Sequence, residues 1–129
     1  MHIKHILLSI IFIVVILAGS SDAKPPIFLD NYNQAIKISK ELNQPLILLF
    51  SADWCVYCVK LKKDISDNMD KFEDTTICIV DIDKNKNLSK KYGVRSIPKT
   101  LVIDRKGNKI KEFKGYIDFN LLRDKNEQR

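Results

Sequence analysis

Leu46-Ile47-Leu48-Leu49-Phe50-Ser51-Ala52-Asp53-Trp54-Cys55-Val56-Tyr57-Cys58 runs from an unbroken apolar stretch into two cysteines separated by two residues. Asn43-Gln44-Pro45 bounds the apolar stretch on its other side. A short continuous run between turn signals predicts a strand buried on both faces. The residues after it predict a helix, with Val59, Ile65 and Met69 facing inward. The cysteine pair therefore falls where a buried strand ends and a helix begins. A thiolate, not a thiol, attacks a disulfide, and a free cysteine with pKa ~8.5 is mostly protonated at neutral pH. Unpaired N–H groups and the helix dipole favour negative charge at a helix start, and there the pKa can fall to ~7 or below. Cys55 is accordingly read as the attacking thiol, and Cys58, one turn inward, as the resolving one.

Other chemistries fit the pair less well. A zinc site needs further ligands, and the rest of the chain offers only Cys78, His2 and His5. Haem attachment needs a histidine directly after the second cysteine, where Val59 stands. A purely structural disulfide gains little from closing so short a loop. No metal is therefore expected, and no cofactor beyond a redox-active Cys55–Cys58 disulfide. Cys78 stands between Ile77 and Ile79 and reads as a small buried apolar filler.

Outward from this centre the pattern alternates. Lys24-Pro25-Pro26 reads as an extended connector. Asp30 or Asn31 can cap a helix running to about Leu42, with Tyr32, Ala35, Ile36, Ser39 and Leu42 on one face. Thr76 to Ile82 is a second strand, and Asp83 to Lys91 a short polar helix carrying Leu88 and followed by Tyr92. Thr100 to Ile103 and Lys109 to Phe113 form a hairpin across Asp104-Arg105-Lys106-Gly107-Asn108, with Gly107 able to take positive φ. A last short helix holds Phe119 and Leu122. The order α-β-α-β-α-β-β-α implies an α/β domain whose central mixed sheet is covered by helices on both faces.

Composition narrows the function. The 22 basic and 16 acidic residues leave a net charge of +6, spread along the chain without a basic block. That reads as a solvated basic surface, and no nucleic-acid partner is expected. Residues 1–23 differ from the rest. Lys4 precedes a nearly unbroken aliphatic run from Ile6 to Ala18, and small residues follow up to Ala23. The run is shorter than the ~20 residues a spanning helix needs, so a cleaved signal peptide is favoured over an uncleaved membrane anchor. The domain from residue 24 to 129 is then expected to be exported, periplasmic or otherwise extracytoplasmic.

Two motifs together resemble the thioredoxin family. Ala52-Asp53-Trp54-Cys55-Val56-Tyr57-Cys58 is similar to that family's active-site segment, and Tyr92-Gly93-Val94-Arg95-Ser96-Ile97-Pro98 to its cis-proline loop. The resemblance implies a thioredoxin-like fold with four to five strands, and a cis Ile97–Pro98 bond beside the cysteines. It also implies a substrate-binding rim made of Trp54, Val56, Tyr57, Ile97 and Pro98, the Ile97 backbone pairing with an extended substrate segment. The chain departs from the family at a buried acid, here Leu49, and at its lysine partner, here Ile79; losing both leaves no unpaired buried charge. The Val56-Tyr57 dipeptide also differs from the Gly-Pro of cytoplasmic thioredoxins.

Within the superfamily, exported oxidants carry an inserted helical domain before the cis-proline, and Asp83 to Ile97 is too short for one. Isomerases usually add a dimerisation module. The expected activity is therefore reduction of disulfides in exported proteins, by a monomer fed by a membrane-bound electron donor. An oxidant or isomerase, or a non-catalytic thioredoxin-like binding or chaperone module, is the alternative.

Overall fold

In a computed structural model, residues 26–123 are described. The apolar N-terminal run expected to be a signal or anchor lies outside them. Among the described residues no helix is long and apolar enough to cross a membrane. The elements in chain order are β1 (Ile27–Leu29), α1 (Tyr32–Glu41), β2 (Leu46–Ser51), α2 (Val56–Ser66), β3 (Thr76–Asp81), α3 (Lys86–Lys91), β4 (Lys99–Ile103) and β5 (Lys109–Lys114). Short 3-10 turns at Met69–Phe72 and Phe119–Arg123 complete it. The expected last helix is thus a 3-10 turn.

The five strands form one mixed sheet in the order β1-β3-β2-β4-β5. β1, β3 and β2 run parallel, and β4 and β5 are antiparallel additions. All six residues of β2 are buried, because this strand has neighbours on both edges and helices over both faces. Its side chains alternate between two cores. Leu46, Leu48 and Phe50 join Ala35, Cys78, Val80 and Leu101 on the face covered by α1 and α3. Ile47 and Leu49 join Ile77, Val102, Leu61 and Ile65 on the face covered by α2. Truncating one such leucine to alanine typically costs about 2–5 kcal/mol.

Local chemistry sets the element ends. Asn31 caps α1, its side chain accepting a hydrogen bond from the Gln34 N–H at 3.0 Å. Asn43 leaves that helix at φ +52°, a conformation its short polar side chain tolerates. Leu42 was expected on the buried face; it is the C-cap and is exposed. In the β4–β5 loop Asp104 Oδ1 accepts the N–H groups of Lys106 and Asn108, and Gly107 takes φ +90°.

Ile27–Leu29, for which no element was expected, form β1, which pairs in parallel with Thr76 to Cys78. One further expectation is corrected. In α2 the inward residues are Cys58, Leu61 and Ile65, whereas Val59 and Met69 are exposed. Spacings of three and four residues put the first three on one stripe. Val59 lies off that stripe, and Met69 comes after the helix has ended.

Candidate active site

β2 delivers the chain to one end of the sheet, and a tight turn follows in which the Cys55 N–H bonds Ala52 O at 3.2 Å. Cys55 then serves as the N-cap of α2, with extended backbone, and its Sγ accepts the Cys58 N–H at 3.2 Å. The sulfur thus occupies the position where a helix presents unsatisfied donors and positive partial charge. Cys55 and Cys58 are joined as a disulfide with Cα atoms 5.2 Å apart. Their access is unequal, because Cys55 is 8% exposed and Cys58 0%. Ala52, Ile82 and Ile97 pack around the pair.

The rim is apolar and open. Trp54 is 68% exposed, Val56 78% and Tyr57 63%. Trp54 is nevertheless oriented, since its indole N–H donates to Asp83 Oδ2 at 2.8 Å. Asp83 is steadied in turn by its backbone N–H on Asp81 Oδ1. Nothing local in the sequence marked Asp83, which lies 29 residues from Trp54 and meets it only through the β2–β3 pairing. The Ile97–Pro98 bond is cis, and Ile97 packs against the cysteine cluster.

Lys99, directly after Pro98, was also missed. It is buried, with its ammonium bonded to Tyr92 O at 2.7 Å and to Glu112 at 3.1 Å. It thereby ties the loop before Pro98 to the hairpin. A signal existed: Lys99, Leu101 and Ile103 alternate along one strand, which points the lysine toward the core. Tyr116 was missed as well. Its hydroxyl donates to Asp64 at 2.6 Å, its ring receives Lys60 at 4.2 Å, and it lies beside Tyr57 at a centroid distance of 6.3 Å.

Behind the cysteines, Leu49 is registered against Ile79 on β3 and Thr100 on β4. The two positions that lack the family's acid and lysine are therefore cross-strand neighbours, and both are apolar. The hydroxyls of Ser51 and Thr100, on the same sheet face, are buried without a hydrogen-bond partner among the described residues. Cys78 is fully buried in β3 on the opposite face.

Comparison with known proteins agrees with this architecture. A family described as a thioredoxin-like domain matches residues 32–128. Thioredoxin H2 of Arabidopsis thaliana is 33% identical over 76 residues, 59% of this chain and 56% of that protein. Thioredoxin of Chlorobaculum thiosulfatiphilum is 35% identical over 69 residues, 53% of this chain and 62% of that protein. The chain thus spans less than two thirds of either relative. Among solved structures, a thioredoxin from Nicotiana alata aligns with TM-score 0.66 at 23% identity, covering 87% of this chain and 99% of its own. Trichomonas vaginalis thioredoxin aligns with TM-score 0.66 at 24% identity, covering 83% and 100%.

Proposed function

The chain belongs to the thioredoxin-like domain family, and on that premise we propose that it is an exported thiol–disulfide oxidoreductase working in the reducing direction. The observation that carries the reading is the asymmetry of the cysteine pair. One sulfur sits at a helix N-cap on a residue that keeps 8% of its surface exposed, and its partner lies fully buried one turn inside. In the reduced protein the Cys55 thiolate attacks one sulfur of a substrate disulfide. The new S–S bond forms as the old one breaks, and the departing substrate thiolate takes a proton. Cys58, deprotonated, then attacks Cys55, releasing the second substrate thiol and leaving the Cys55–Cys58 disulfide. Two electrons have passed to the substrate, and a dithiol donor restores the pair.

The rim suits this chemistry. Trp54, Val56 and Tyr57 offer an apolar landing surface around Cys55, and Ile97 and Pro98 border it for an extended substrate strand. Export is supported by the aliphatic run Ile6 to Ala18 followed by small residues. The reducing direction is supported by the short passage from β3 to Pro98, which holds only α3. The donor is then a membrane-bound reductant, and the substrates are disulfide-containing exported proteins.

The equilibrium reduction potential of the Cys55–Cys58 pair tests the direction. Family values run from about −270 mV for thioredoxin to about −120 mV for a strong oxidant. A value toward the first supports the reductase, and a value near the second recasts the protein as a disulfide-forming enzyme. Replacing Cys58→Ser should trap mixed disulfides through Cys55, while Cys55→Ser should abolish turnover. A Cys55→Ser protein that retains full function would indicate a binding module instead.

A further inference from the structure

The apolar rim has a charged neighbour. A concavity of about 440 Å³ adjoins the loop before Pro98, lined by Gly93, Arg95, Ser96, Lys99, Glu112 and Lys114. Its charge depends on how Glu112 is engaged. Glu112 Oε1 lies 3.1 Å from the Lys99 ammonium, and Oε2 lies 2.5 Å from that of Lys109. Both carboxylate oxygens are therefore committed to lysines. Arg95 and Lys114 are exposed, and neither is paired with a carboxylate among the described residues. The solvent-facing wall is left net positive, with two cations free to meet an incoming anion.

We infer that this groove selects substrates, taking acidic side chains that flank the reacting cysteine onto Arg95 and Lys114. The inference rests on the proposed redox function of the site and adds to it the chemistry of the preferred substrate. Ser96 lines the groove and precedes Ile97, which packs against the cysteines. A substrate strand lying along this loop therefore passes from one to the other. Each extended residue advances about 3.3 Å, so an Asp or Glu a few positions from the substrate cysteine reaches the groove. The apolar rim holds the residues beside the disulfide, and the basic groove reads the flank. Charge complementarity of this kind speeds encounter and rejects basic flanks, and salt weakens it.

The test uses the full-length protein and two disulfide-linked peptides, identical except for a Glu-Glu or a Lys-Lys flank. Hydroxyethyl disulfide, small and uncharged, reports separately on the dithiol. The expected result is a preference of about tenfold in the single-turnover second-order rate constant of the pre-reduced protein for the acidic peptide at low salt, inverted in the double variant Arg95→Glu/Lys114→Glu. Equal rates, or a preference that survives charge reversal, overturn the inference. Should hydroxyethyl disulfide not be reduced, the redox reading fails. The groove is then judged by binding of the same peptides, with serine in place of cysteine, to the oxidised protein. There the acidic peptide must bind about tenfold tighter, and equal affinities overturn the assignment. Inorganic phosphate binding as tightly as the acidic peptide would reduce the groove to a simple anion site and overturn it as well.

Discussion

Three cysteines share the chain and sit in three environments. Cys55 caps a helix with its sulfur on a backbone N–H, and Cys58 lies buried beneath it. Cys78 stands inside β3, where burial first, and the charge of Asp30 second, pushes its thiol up to about 12. A thiol held so far above neutral pH yields almost no thiolate, and reactivity follows the thiolate. The reduced native protein should therefore release two equivalents of chromophore quickly from an aromatic disulfide reagent at pH 8. The third equivalent should appear only on unfolding in urea. Three fast equivalents would show that Cys78 is accessible and would reopen a redox role for it.

At the scale of elements, Lys99 and Glu112 join three pieces of structure. The lysine bonds the carbonyl that ends α3 and reaches across to β5. Hydrogen bonds from Lys109 and then Lys99 hold the Glu112 carboxyl down to about 2, below its ordinary 4.5. A depressed folded-state pKa contributes stability that is complete above the unfolded value and lost as pH falls through the folded one. The contribution should be intact above about pH 4.5 and disappear toward pH 2. Urea midpoints measured across that window should fall less steeply for Glu112→Gln than for the parent, and the variant should be the less stable of the two at pH 7. Parallel curves would mean that the contact contributes nothing.

Over the whole molecule, order of stability follows depth in the sheet. β2 is paired on both edges and buried along its entire length. β1 has only three residues at one edge, β5 is half exposed at the other, and α3 has no buried residue. Opening energies range from near zero at frayed edges to the global value in the core. Native-state hydrogen exchange should therefore find the slowest amides in β2 and β4, and the fastest among the strands in β1 and β5. A β5 as protected as β2 would imply that something beyond the sheet covers that edge.

Much of this was legible along the chain because the signals are local. The apolar run Leu46 to Phe50, the cysteines at a helix start and the Gly107 hairpin each carry their meaning within a few residues. The sequence by itself determined the layer order, the central strand, and which cysteine caps the helix. It could not show β1, since a three-residue strand after two prolines has no pattern of its own and exists through its partner β3. It misjudged Val59 and Met69, because the facing of α2 is decided by where Cys58, Leu61 and Ile65 meet the sheet. Only the tertiary structure brought Asp83 to Trp54 and Tyr116 to Tyr57. It alone turned Glu112 toward Lys99 and left Arg95 and Lys114 facing a groove. Those contacts join residues far apart in sequence, and their energies depend on distance and burial, which no short window of residues encodes.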